Sequence, residues 1–485
     1  VERKKEMRAV LSFLDEGESK RLHDASLQIL EKTGVRVDSD KVRDLLAQRG
    51  AQVEGTRVRL PGSLVEWALG KAPGEVVLAA REPSRDCVVP SLREPLQVTS
   101  GYSPFVLDPE TGENRKSLGS DLRDFAVVAD SLDEVSIFWP TVMPTEEPSE
   151  MDELCALAIA LENTGKHVQC SCSSRETATW QIRLAGAVAG SVDDLRERPI
   201  FSVVVAPVSP LTFEERAADA LVTLAEAGIP VAPMTMPLAG TTAPTTLAGV
   251  LALANAEELA TLCILKCANP KAPMIYASDT PPSNLKTGKV NYDAPEYPLL
   301  ASGCAQMARY YRMASMVSHG STETSPYDLA SFERGVLRVV ISLMTRTDLS
   351  AWLGSYDNSL SGSLVQMIID AEVFKNARGY LRGFDVNDDD LALRVIDAVG
   401  PGGHFLSQNH TLKNFRKALW TRELQDTFLL DSSSQASVTK RAKERLRQIL
   451  ATHKPPYISG DKVAEMQDIL AEARKNLLPG CNEQG

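Results

Sequence analysis

Through the middle of the chain, short apolar and β-branched runs alternate with longer stretches whose apolar residues recur at helical spacing. Eight runs stand out: Leu96–Leu107 (LQVTSGYSPFVL), Val135–Met143 (VSIFWPTVM), His167–Ser173 (HVQCSCS), Phe201–Val208 (FSVVVAPV), Ile229–Met236 (IPVAPMTM), Pro273–Ser278 (PMIYAS), Ala314–His319 (ASMVSH) and Leu349–Tyr356 (LSAWLGSY). They begin roughly 30 to 45 residues apart, room for one strand, one helix and two loops. Ser120–Asp124, Ser149–Asp152 and Thr212–Glu215 read as helix starts, the last as a capping box whose helix stops at Gly228. Further helices fit 175–189, 246–268, 297–313, 326–346 and 363–382. Near-continuous apolar strands indicate a parallel sheet buried on both faces. Eight strand–helix units predict an α/β fold, a closed (β/α)8 TIM barrel over 96–383. A doubly wound sheet is disfavoured, because no G-x-G-x-x-G follows any of the runs.

The two ends lie outside this count. Residues 1–95 predict a helical pair (Glu18–Thr33, Ser39–Arg49) and a β segment (Gln52–Leu60). Residues 384–485 predict a mainly helical addition, with charged helices at 436–451 and 460–477. It carries the run VGPGGHFLSQNH, in which Gly400, Gly402 and Gly403 permit positive φ and close backbone approach.

Composition changes the picture by exclusion. With 52 basic and 64 acidic residues, the net charge is −12 and argues against nucleic acid and anionic membrane surfaces. The most apolar stretch, Thr246 to Ala268, is interrupted by Asn255, Glu257, Glu258 and Lys266, short of the ~20 clean residues of a membrane span. The first residues are charged and show no signal-peptide core, and the eight cysteines are scattered, so a cytoplasmic chain with reduced thiols is expected.

In a (β/α)8 barrel, chemistry sits at the C-terminal ends of the strands. Those ends collect Tyr102, Trp139, Tyr276, Trp352 and Tyr356, with the carboxylates of Asp279 and Glu323, although aromatics are only 6% of the chain. A quaternary ammonium donates no hydrogen bond and is held by ring faces, each worth roughly 0.5–2 kcal/mol, and by a counter-charge. Strand alternation lets only about half of these side chains face a central site. Cys263 and Cys267 share a helix face and read as packing. Cys170 and Cys172 with His167 make only a weak metal set, and no metal site is expected.

GPGGHFLSQNHTLKNFRKALW resembles the C-terminal signature of the trimethylamine methyltransferase (MttB) superfamily. So do MPLAGTTAPTTLAGVLALANAEELA, APMIYASDT, TGKVNYDAPEYPLL, ILEKTGVRVDS and VRLPGSLVEWALGKAP, in order, over about residues 18–455. The resemblance implies a barrel enzyme that moves a methyl group from an amine to the Co(I) corrinoid (cobalamin) of a partner protein, with no tightly bound cofactor of its own. It also implies a homo-oligomer. Archaeal trimethylamine enzymes of the family carry pyrrolysine, whereas this chain has the standard run Gly320–Thr324 where that residue is expected. The departure points to a member without pyrrolysine, acting on a quaternary amine such as glycine betaine. On this reading Tyr102, Trp139, Trp352 and Tyr356 are candidates for the ammonium box, with Tyr276 beside them. Glu323 or Asp279 balances the charge, and His404 reads a substrate carboxylate. No residue is assigned as a nucleophile or general acid. Two alternatives stand: a zinc-thiolate methyltransferase using Cys170, Cys172 and His167, and a protein that binds a quaternary amine without transferring from it.

Overall fold

The computed structural model describes residues 10–91, 95–318, 329–381, 383–419 and 437–478. Its centre is an eight-stranded parallel sheet. The strands are β1 (Leu96–Thr99), β2 (Val135–Phe138), β3 (His167–Ser171), β4 (Phe201–Val204), β5 (Val231–Ala232), β6 (Tyr276–Ser278), β7 (Ser315–Ser318) and β8 (Leu349–Leu353). Neighbours in the sheet run β5-β4-β3-β2-β1-β8-β7-β6. Bridges from Val231 to Met274 and from Thr235 to Ser278 join β5 to β6 and close the ring. The helices that follow the strands are α1 (Gly119–Ser131), α2 (Asp152–Asn163), α3 (Arg175–Ala189), α4 (Glu215–Ala227), α5 (Leu247–Ala268), α6 (Glu296–Tyr310), α7 (Leu329–Thr345) and α8 (Leu364–Leu381). The fold is the (β/α)8 barrel that the eight runs predict.

Side-chain alternation sorts the strands into two cores. Val98, Ile137, Val204, Ala232, Ile275, Ala277, Met316, Leu349 and Ala351 fill the interior. Val168, Cys170, Val203, Val231, Tyr276, Val317 and Trp352 pack outward against the helices. The N-terminal end of the barrel is plugged by the hairpin Val76–Leu78/Cys87–Val89, which adds Val76, Leu78 and Val89 to the interior core. Asp130, at the end of α1, ties this end together. It pairs with Arg85 beside the plug (2.6 Å) and with His453 (2.7 Å) of the C-terminal addition.

Two local expectations are corrected. The first run is not one strand. β1 stops at Thr99, Tyr102 takes φ +78°, and Phe105–Leu107 joins a second sheet with Asn114–Lys116 and Ser361–Gly362. Positive φ at Tyr102 and the missing N–H of Pro104 both interrupt a strand ladder. Thr212 does not cap α4 either. Thr212–Phe213 pairs in parallel with the N-terminal strand Val35–Val37, and α4 starts after Glu214 with no side-chain cap. Gly228 does end that helix, at φ +77°.

α5 is long and apolar enough to cross a membrane, but 83% of its apolar window is buried within the molecule. Its polar residues have partners there: Glu257 accepts from Leu211 N and Ser209 Oγ (both 2.8 Å), and Lys266 donates to Ala272 O (2.6 Å). The C-terminal helices Val438–Thr452 and Gly460–Leu477 pack on α8 with α1 and on α3 with α2. Between α8 and the first of them, residues 383–419 form an arm of short helices (Asp388–Leu391, Leu393–Val399, Asn409–Ala418) with no buried residue among those described.

Candidate functional site

The C-terminal ends of the strands form a mouth above the interior core. Ile137 lines the interior, so Trp139 is the next inward position on β2, and its ring packs on that core. The indole lies flat against Gly101, just after β1. A Cβ on Gly101 would fall 2.0 Å from Trp139 Cε2, so only glycine lets the ring sit there. The interior phase of β6, Ile275 and Ala277, continues to Asp279. Its carboxylate is half-buried and accepts from Tyr297 Oη (2.7 Å) and Tyr292 Oη (2.8 Å). Tyr297 Oη also lies 2.7 Å from Ser318 O at the end of β7, so its single proton is shared between that carbonyl and Asp279. The two tyrosine rings meet edge-on, with centroids 5.1 Å apart. Burial pushes the Asp279 pKa up, and the two tyrosine hydrogen bonds pull it back. A cation arriving beside it would favour the ionised form.

β2 and β6 are four strands apart in the ring, so Trp139 and Asp279 face each other across the mouth. The other expected residues are dispersed. Tyr276 is on the opposite phase from Asp279: it points into the helical layer, where its hydroxyl donates to Asn255 Oδ1 (3.1 Å). Trp352 also packs outward and donates to Gln97 Oε1 (2.7 Å). Tyr102 packs on the outer core as well. Its buried hydroxyl has no hydrogen-bond partner of ordinary geometry, and burial first, then the carboxylates of Asp152 and Glu153 on α2, push its pKa well up. Tyr356 is buried in the short strand Ser355–Tyr356, which pairs with Ser361–Gly362 beyond the end of β8. Glu323 lies outside the described residues. His404 is exposed on the arm.

The zinc alternative is taken apart by the same alternation. His167 faces inward, with Nδ1 bonded to Ala79 O and Nε2 to Ser202 Oγ, and burial lowers its pKa to about 4. Cys170, three positions further along the strand, is on the opposite phase and packs with Cys172 in the outer core, where burial raises both thiol pKa values.

Sequence reasoning missed Tyr292 and Tyr297. Both stand in TGKVNYDAPEYPLL, a run read only for its resemblance. A tyrosine in the loop after a strand-end aspartate, and a second in the first turn of the helix that follows, were the available signal. Gln169 was missed as well: it is inward on β3 and wholly buried.

A profile of the trimethylamine methyltransferase (MTTB) family matches residues 2–478. The glycine betaine methyltransferase of Desulfitobacterium hafniense (strain Y51) is 29% identical over 471 residues, covering 96% of this chain and 98% of the relative. The trimethylamine methyltransferase MttB of D. hafniense (strain DSM 10664 / DCB-2) is also 29% identical, covering 93% of this chain and 92% of its own length. MttB of Methanosarcina barkeri is 26% identical, with 96% of each chain covered. Among solved structures, the monomethylamine methyltransferase (MtmB) of M. barkeri superposes with a TM-score of 0.51 at 10% identity, over 98% of this chain and 89% of that one. At that identity it speaks to the barrel alone.

Proposed function

The chain belongs to the trimethylamine methyltransferase (MTTB) family, and from that premise we propose that it moves a methyl group from a quaternary amine, such as glycine betaine, to a corrinoid held by a partner protein. The observation that carries this reading is the half-buried Asp279 carboxylate, clamped by two tyrosine hydroxyls and facing an indole across the barrel mouth. A desolvated carboxylate and aromatic surface suit a cation that can donate no hydrogen bond.

A Co(I) corrinoid on the partner would supply the electron pair that takes up the methyl group, and the C–N pair would stay on nitrogen. The leaving group is a neutral tertiary amine, so no proton moves and no general acid is needed. The chain's own residues do the rest by holding the substrate. Asp279, fixed by Tyr292 and Tyr297, sets the position of the ammonium. Trp139, seated on Gly101, bounds the opposite wall and excludes water. Neither Cys170 nor Cys172 faces the mouth, which fits a methyl acceptor that comes from outside the chain. Glu323 is kept as a second counter-charge and Tyr356 as part of the wall.

The test is methyl transfer from glycine betaine, carnitine and trimethylamine to free cob(I)alamin, followed by absorbance. Methylcobalamin formed from a quaternary amine is the expected result. Activity with trimethylamine alone would refute the reading, and binding without transfer would leave only the binding-protein alternative.

A further inference from the structure

Two side chains at the floor of the mouth have polar atoms without partners, and both can donate. Gln169 is wholly buried, and neither its amide nitrogen nor its amide oxygen has a hydrogen-bond partner among the described residues. Trp139 Nε1 is buried and unpartnered in the same way. The parallel register sets His167 beside Ile137 and Val168 beside Phe138, which brings Gln169 level with Trp139 on the next strand. Both lie on the inward phase, as Ile137 in the interior core and the His167–Ser202 hydrogen bond mark it. A buried amide with no partner is rare because desolvation is costly, and a ligand is one thing that completes it. Tyr102, also unpartnered, is turned outward to Asp152 and Glu153 and does not join the pair.

The mouth is therefore polarised. N–H donors stand on β2 and β3, and a carboxylate stands on β6, on the far side of the ring. We propose that Gln169 Nε2 and Trp139 Nε1 bind the carboxylate of a zwitterionic quaternary amine, while Asp279 faces its ammonium end. This rests on the quaternary-amine reading above and deepens it by assigning the residues that select a carboxylate-bearing substrate. Two neutral donors suit the anionic end of a molecule with no net charge. Choline carries the same trimethylammonium head but a hydroxymethyl in place of the carboxylate. It leaves the amide and indole poorly paired.

The test uses the full-length protein with glycine betaine, choline and tetramethylammonium, measuring transfer to free cob(I)alamin and binding by calorimetry. Wild type is expected to favour glycine betaine over choline in kcat/KM by about 10²-fold or more, as sites built around a polar contact do. Gln169→Met is expected to bring that ratio within about 3-fold, through a higher KM for glycine betaine and an unchanged one for tetramethylammonium. Wild type that uses choline as well as glycine betaine overturns the proposal, and this comparison holds even if the variant does not fold. Equal losses on all three substrates, or glycine betaine affinity unchanged in Gln169→Met, also overturn it, the last meaning that the amide holds only a water. Absence of transfer from every quaternary amine in wild type counts instead against the methyltransferase reading, and calorimetry then still decides the role of Gln169.

Discussion

The barrel and the 383–419 arm carry similar apolar residues under opposite conditions. Leu349 and Met316 are wholly out of water inside the barrel, whereas Phe384, Leu406 and Leu412 on the arm are 82%, 86% and 72% exposed. The arm also carries the glycine-rich loop with His404, the most specific local motif in the chain, and leaves it exposed. Local motif strength and burial are thus different properties. An apolar residue becomes core only when the fold supplies the surface that covers it.

The contrast can be broken in four ways, from the largest expected effect to the smallest. Asp279→Asn leaves the ammonium without its counter-charge and should lower kcat/KM by about 10²–10³-fold, equivalent to roughly 3–4 kcal/mol. His404→Ala should leave transfer within about 2-fold, and the opposite ranking would return the site to the arm. For stability, Leu349→Ala should cost about 2–5 kcal/mol in urea unfolding, and Leu406→Ala no more than about 0.5 kcal/mol. A comparable loss at Leu406 would place the arm against a second copy or a partner, and a concentration dependence of the transition would separate those two.

A third measurement is the pH dependence of stability. Burial raises the Glu257 pKa from 4.5 to about 7, and Asp370 is likewise raised to about 7. A carboxyl whose folded pKa is raised holds its proton more tightly in the folded state. Its contribution is complete below the unfolded pKa and is lost as pH rises through the folded one. The Glu257 contribution should therefore be lost between about pH 4.5 and pH 7, about 3 kcal/mol, while buried His167, with its pKa lowered to about 4, acts in the opposite sense over much of the same range. Glu257→Gln should remove that share of the slope, and an unchanged profile would mean that Glu257 is not buried against the Ser209–Leu211 loop. The smallest effect compares two glycines. Gly101→Ala drives a Cβ into Trp139 and should cost about 1–3 kcal/mol and roughly 10-fold in transfer. Gly402→Ala has open space but φ +80°, so about 1–2 kcal/mol of backbone strain and full transfer activity are expected.

Much of the fold was legible because burial on both faces leaves continuous apolar runs, and those at Val135, His167 and Leu349 became strands where they were read. The break after Thr99 was not, because LQVTSGYSPFVL has strand-like residues on both sides of a turn. At the site, Asp279 and Trp139 followed from being at strand ends. Tyr276 and Trp352 had the same credentials and point the other way. The alternation was visible in the sequence, but its phase was not: nothing in PMIYASD says whether Ile275 or Tyr276 faces the axis. Tyr292 and Tyr297 reach Asp279 through a loop whose path is a tertiary matter.

By itself, then, the sequence determined the number of strand–helix units, their order, the closed parallel barrel and the family resemblance, because each rests on periodicity or on motifs read along the chain. Only the tertiary structure decided which phase of each strand is inward, that Gln169 and Trp139 stand together unpartnered, and that the glycine-rich arm is left exposed. Those depend on ring closure and on which surfaces meet, and contacts between residues on different strands and loops leave no periodic trace in the chain.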